Sequence, residues 1–167
     1  MRTISGQVRL SRFRWWQITD AVQIEADLFG AEQWSPGMFW NELANGHYYL
    51  AAQDDDGTVL GYAGLAVQPP DEAWVQNIAV RRDVQRAGIG RSLLAALLAE
   101  AGRRGARRIL LEVAVDNAPA QLLYAGYGFE PIGIRKGYYQ PSNTDALVMQ
   151  CEMDQVDMMG GAAGRDG

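Results

Sequence analysis

The sequence predicts an α/β (α+β) fold, with one mixed, mostly antiparallel central sheet flanked by about four helices. Three observations predict it. Strand-like runs follow one another at 47–53, 58–67 and 73–80, separated by the turn signals Asp54-Asp55-Asp56-Gly57 and Gln68-Pro69-Pro70-Asp71-Glu72, which reads as an antiparallel meander. A strand, a helix and a strand then occupy 73–115, which reads as a parallel crossover. Two last strand-like runs, 129–135 and 146–153, come after a short helix.

Taken in order, residues 7–13 alternate and form a first strand. Thr19 or Asp20 caps a helix to about Leu28, with Ala21, Ile24 and Leu28 on one face and Gly30 as its stop. Ser35-Pro36 is a cap followed by proline at the first turn. It starts a helix that carries Phe39, Trp40 and Leu43 and ends at Asn45-Gly46. After the third strand comes a turn with two glycines, Gly88 and Gly90, and an Ala- and Leu-rich helix to about Arg104. Residues 107–115 form a strand whose apolar content suits burial. Asp116 or Asn117 caps a short helix that ends near Gly128. One domain over 1–153 is expected, and the tail 154–167 lacks periodicity and is expected to be disordered.

Composition narrows the function. With 48% hydrophobic and 21% charged residues the chain reads as globular, and a net charge of −5 does not suit bulk nucleic-acid binding. Arginines at 81, 82, 86, 91, 103, 104, 107 and 108 nevertheless crowd its middle, which suits a small anionic ligand. One cysteine, Cys151, rules out an intrachain disulfide, and one histidine, His47, cannot build a multi-histidine metal site. No apolar run is long enough to cross a bilayer, and residues 1–10 show no signal-peptide core. The expectation is a cytoplasmic monomer or weak dimer with no metal, no membrane and no nucleic-acid partner.

The glycine turn is the most informative stretch. A helix that starts near Gly88 leaves its first N–H groups unpaired, and with the helix dipole they favour an anion. Glycines let the anion approach the backbone, and Arg86 and Arg91 add forked donors. A phosphate cradle and a tight turn with solvated arginines both fit these residues. Leu93 stands where a dinucleotide fingerprint needs a third glycine, and Arg91-Ser92 stands where a P-loop needs lysine.

Gln85-Arg86-Ala87-Gly88-Ile89-Gly90 resembles the Q/R-x-x-G-x-G/A motif of the GNAT N-acetyltransferases. Asn77-Ile78-Ala79-Val80 before it, Leu111-Glu112-Val113 in the next strand and the segment 122–129 after it are similar to the same family in register. The resemblance covers about 8–153 and implies the GNAT fold, with the motif holding the pyrophosphate of acetyl-coenzyme A. Gln33-Trp34-Ser35, residues 116–129 and residues 134–139 look most like the ribosomal-protein alanine N-acetyltransferases within that family. One departure is Ala114, where such sequences usually carry arginine.

Roles follow residue by residue. The resemblance implies coenzyme contacts from Arg86, Ala87, Gly88, Ile89, Gly90 and Arg91, and from the backbone of Ile78, Ala79 and Val80 as an added strand. Asn117 reads as a helix cap, a coenzyme contact, or both. Glu112 shares a strand face with Leu110 and Ala114, where a carboxylate is costly to bury unless paired or protonated. It reads as a general base or as half of an ion pair with an arginine, and the resemblance makes it the proton acceptor. Tyr124 reads as core packing from spacing alone, and the resemblance makes it the acid that protonates the departing thiolate. Trp34, Tyr138 and Tyr139, with Phe29, either line an acceptor groove or pack as ordinary aromatics. His47 is expected on a strand surface and Cys151 packed within a strand. The implied reaction moves the acetyl group of acetyl-coenzyme A to the N-terminal amine of a protein, with a ribosomal protein as the expected partner. A lysine side chain or small amine as acceptor, and a coenzyme-binding module without turnover, are the alternatives.

Overall fold

The computed structural model describes residues 4–153. The expected tail at 154–167 lies outside them. Seven strands form one sheet in the order β1-β2-β3-β4-β5-β7-β6, with β1 Arg9–Arg12, β2 Tyr48–Gln53, β3 Val59–Gln68, β4 Glu72–Val80, β5 Arg108–Ala114, β6 Glu130–Tyr139 and β7 Thr144–Glu152. Four α-helices accompany it: α1 Ile18–Phe29, α2 Pro36–Ala44, α3 Ile89–Arg103 and α4 Ala118–Gly126. The parallel β4–β5 pairing is the expected crossover through α3. The β1–β2, β2–β3, β5–β7 and β6–β7 pairs are antiparallel.

Two expectations are corrected. The helix placed from Thr19 or Asp20 starts at Ile18, after a 3₁₀ turn at Trp15–Gln17, and no side chain caps it. The buried Gln17 instead folds back, its Oε1 accepting from Arg14 N at 2.8 Å. The strand placed at 129–135 continues to Tyr139, past a register break after Arg135. Ser35 caps α2 as expected, its Oγ accepting from Met38 N, and Gly30 ends α1 with a positive φ of 55°.

The chain packs as two compact units. One joins the chain up to Ala66 with Gln76–Leu97. Its core is aromatic, built from Phe13, Phe39, Tyr49 and Tyr62 beside Ile18, Ala21 and Ile24. A Cβ at Gly64 would fall inside the ring of Tyr49, so glycine is needed there. Two carboxylates are sealed into this unit. Glu25, 1% exposed, accepts from Tyr62 Oη at 2.6 Å, Asn77 Nδ2 at 2.7 Å and Trp34 N at 3.2 Å. Glu42 accepts from Tyr49 Oη at 2.8 Å and Gln76 Nε2 at 3.1 Å. Buried carboxylates persist only when their acceptor sites are filled, and these are. On the outside of the same unit Trp15, Trp16 and Trp40 stand exposed, with Trp15 stacked on Trp40 at 6.1 Å and edge-on to Trp16 at 5.5 Å.

The other unit joins Val67–Val75 with the chain from Leu98 onward. Ile109, Leu111, Val113, Met149, Cys151 and Phe129 are buried in it, and Arg107 N donates to Asp71 O at 2.7 Å. No helix among the described residues is long and apolar enough to cross a membrane.

Candidate active site

In the first unit the site candidates lie on β4 and the turn after it. The β4–β5 ladder runs from Glu72↔Arg108 to Trp74↔Leu110, so Ile78, Ala79 and Val80 lie beyond its last pair. Gln85 Nε2 donates to Val80 O at 3.0 Å and ties the turn to the end of the strand. Arg86 then adopts φ 67° and Gly88 φ 86°. A left-handed arginine is uncommon and held only where the surroundings demand it, whereas glycine takes this backbone readily. Nothing stands within 4 Å of where a Cβ at Gly88 would be, and α3 begins at the next residue with Ser92 N donating to Gly88 O at 3.0 Å. Left-handed residues before a helix N-terminus turn successive N–H groups toward one side, which is the geometry of an anion nest. Arg86, Ala87 and Gly88 are exposed, as is Arg91.

Several of the arginines that crowd the sequence are paired with carboxylates. Arg81 pairs with Asp83, Arg82 with Asp27, Arg103 and Arg104 with Glu100, and Arg108 with Glu72. Arg86 and Arg91 flank the turn itself.

In the second unit β5 presents the alternation read from the sequence. Ile109, Leu111 and Val113 are buried on one face, and Glu112 lies on the other with its side chain 13% exposed. The ion-pair reading of Glu112 finds its arginine, since Arg135 Nη1 lies 3.3 Å from its Oε1, and Tyr138 hydrogen-bonds to it as well. Burial, then the hydrogen bond and charge of Glu112, push the Tyr138 phenol up to about 12, so it stays a donor. Tyr138 and Tyr139 meet edge-on at 5.0 Å. Tyr124, on α4, is buried with its ring against Phe129 at 6.0 Å. Burial, with the nearby Tyr139, raises its phenol well above the ordinary value. The fold thus brings Glu112, Tyr138, Tyr139 and Tyr124 into one neighbourhood of β5, α4 and β6. Asn117 caps α4, its Oδ1 accepting from Ala120 N at 3.2 Å.

Other candidates settle differently. Trp34 is half-buried, packed on the aromatic core with its ring 5.3 Å from Phe39, and its N–H is held by Glu25. Phe29 stands partly exposed at the end of α1. His47 is not an idle surface residue, since its Nδ1 lies 2.9 Å from Glu42 Oε2. Cys151 is buried in β7, its thiol donating to Tyr127 O at 3.4 Å and pushed up to about 11 by burial, which suits a packed thiol and not a nucleophile. Among the described residues no group of three His, Cys, Asp or Glu side chains is arranged to hold a metal. Sequence reading missed Arg135, Glu25 and Glu42. Glu25 alone left a signal, falling one turn after Ala21 on the buried face of α1.

The acetyltransferase (GNAT) family profile matches residues 11–129. The chain belongs to the GNAT acetyltransferase family. It is 41% identical over 133 residues to the N-alpha-acetyltransferase RimI of Mycobacterium tuberculosis, covering 77% of this chain and 82% of that protein. It is 44% identical over 124 residues to the ribosomal protein bS18-alanine N-acetyltransferase of Escherichia coli, covering 71% and 84%. The crystal structure of the ribosomal-protein-S18-alanine N-acetyltransferase from Escherichia coli superposes with TM-score 0.79 at 32% identity, covering 88% of this chain and 94% of that one. This GNAT chain is therefore an acetyltransferase with the mixed seven-stranded sheet expected from its sequence, and the GNAT family draws its acetyl group from acetyl-coenzyme A.

Proposed function

We propose that the protein acetylates the N-terminal amine of a cytoplasmic protein, with an N-terminal alanine of a ribosomal protein as its acceptor. The observation that carries the acetyl-coenzyme A half is the turn before α3. Its left-handed Arg86 and Gly88 and the open space at Gly88 fit a pyrophosphate seated against backbone N–H groups. Arg86 and Arg91 supply charge, Ala87, Ile89 and Gly90 supply backbone, and Ile78, Ala79 and Val80 receive the pantetheine arm beyond the last β5 pair. The acceptor half rests on the two relatives and on the Glu112 neighbourhood, a carboxylate ready for an ammonium.

The chemistry needs a neutral amine, a polarised thioester and a protonated leaving thiolate. An α-amine is mostly charged at neutral pH, with a reference pKa of about 7.7–8.0. Glu112 takes that proton, directly or through a water. The amine attacks the thioester carbon, a backbone amide N–H polarises the carbonyl, the Tyr124 hydroxyl gives its proton to the sulfur as the C–S bond breaks, and the second proton shed by the attacking nitrogen restores Tyr124, leaving amide, thiol and one proton on Glu112. Tyr138 and Tyr139 hold the acceptor chain.

Mass spectrometry of peptides incubated with the enzyme and acetyl-coenzyme A tests the acceptor. A short peptide with a free N-terminal alanine should gain one acetyl group, while an N-blocked lysine peptide and polyamines should not. Acetylation of lysine or polyamine alone overturns the acceptor assignment. The turn has its own test. Gly88→Val puts a branched side chain on a left-handed backbone and into the open space, so acetyl-coenzyme A affinity should fall sharply by calorimetry. Unchanged affinity refutes the cradle.

A further inference from the structure

We propose that Arg135 is a place-holding cation, seated on Glu112 where the acceptor's ammonium binds and displaced by it. The inference rests on Glu112 being the acceptor-side carboxylate.

Several observations converge on it. The Arg135–Glu112 contact is a long one, Nη1 to Oε1 at 3.3 Å, against the about 2.7–2.9 Å of a strong charge-assisted hydrogen bond. The two partners are unequal, the arginine side chain being 54% exposed and the carboxylate 13%. In the same pose the guanidinium lies 5.6 Å from the centre of the Tyr138 ring, so part of its hold comes from the ring and not from the carboxylate. The backbone beneath it is fixed. Arg135 pairs with Ala146 just before the register break, and Asp145 Oδ1 accepts from Gly137 N at 2.8 Å while its Oδ2 holds Lys136 Nζ at 3.0 Å. The side chain can therefore leave without the strand moving.

Exchange answers a physical difficulty. A mostly buried carboxylate left without a cation is costly, so a site that waits for an ammonium needs a substitute in the meantime. Guanidinium serves as a weakly hydrated substitute. The compact ammonium, with three donors, makes the closer partner once it arrives. The exchange also separates substrate from product. A free N-terminus is cationic and can take the seat, but the acetylated N-terminus is a neutral amide and cannot. Arg135 then returns to Glu112 and turns the product out.

The test measures binding apart from turnover. Arg135→Met and Arg135→Lys are compared with the parent enzyme in complex with coenzyme A, by calorimetry with a short peptide bearing a free N-terminal alanine and with its N-acetylated form. In Arg135→Met the competing cation is gone. The free peptide should bind about two- to fivefold tighter, the reach of one partly exposed ion pair, and the acetylated peptide should gain measurable affinity. Arg135→Lys should stay near the parent. Weaker binding of the free peptide to Arg135→Met would make Arg135 an acceptor contact and overturn the proposal. Unchanged binding with a lower Tm would make the pair structural and also overturn it. A parent enzyme that neither binds nor acetylates the alanine peptide would instead refute the acceptor reading, a different failure.

Discussion

Tyr124→Phe should cut turnover about 10²–10³-fold and leave acetyl-coenzyme A affinity nearly unchanged. The ring of Tyr124 is buried against Phe129, and phenylalanine keeps that packing. Only the hydroxyl is lost. Its pKa is raised by burial, so at any working pH it is a neutral phenol with a proton to give. The sulfur then leaves as an unprotonated thiolate, and the cost falls on kcat. Steady-state kinetics on protein normalised for folded fraction checks this. If Tm falls and the rate per folded molecule holds, Tyr124 is a core residue and the acid lies elsewhere.

Glu112→Gln should lower kcat/KM about 10²-fold or more at neutral pH. Glutamine keeps the shape but cannot accept a proton, and it abolishes the ion pair to Arg135. The deficit should shrink as pH rises past about 8, because the acceptor amine then deprotonates in solution. Coenzyme binding should hold, since the proposed pyrophosphate turn is on another element. A pH–rate profile beside the parent enzyme separates three roles. A base gives a deficit that closes with pH. A carboxylate that only orients the ammonium gives a raised KM and a profile of unchanged shape. A structural partner gives a lower Tm and an unchanged rate per folded molecule.

The strongest local signals in the sequence were also the ones the fold kept. Ser35-Pro36, Asn117 and Gly30 do in the structure what their chemistry predicts, because caps and helix stops are decided within a few residues. The alternation around Glu112 likewise needs only a strand. The losses are long-range or weakly patterned. β6 is exposed along most of its length and carries Gly133 and Gly137, so no buried stripe marks its reach to Tyr139. Glu25 falls on the buried face of α1, but the partners that fill it, Tyr62 and Asn77, are 37 and 52 positions away. The carboxylates that pair with Arg82 and Arg108, Asp27 and Glu72, are distant in sequence, so the run of arginines gave no sign of them. Arg86 gave no sign of its left-handed backbone, which belongs to the turn as a whole and not to the residue.

The exposed tryptophans decide how this protein looks to an optical instrument. Trp15, Trp16 and Trp40 already face water, so their emission is red in the native state and has little further to move on unfolding. Trp15 also lies 6.1 Å from Trp40 and 5.5 Å from the edge-on Trp16, close enough for their transitions to couple. The aromatic circular dichroism should therefore carry a coupled pair of bands that reports one corner, where the 3₁₀ turn at Trp15–Gln17 meets α2. Heating would erase those bands when that corner frays, and a melt followed at their wavelength would record a local event while the backbone signal still read folded.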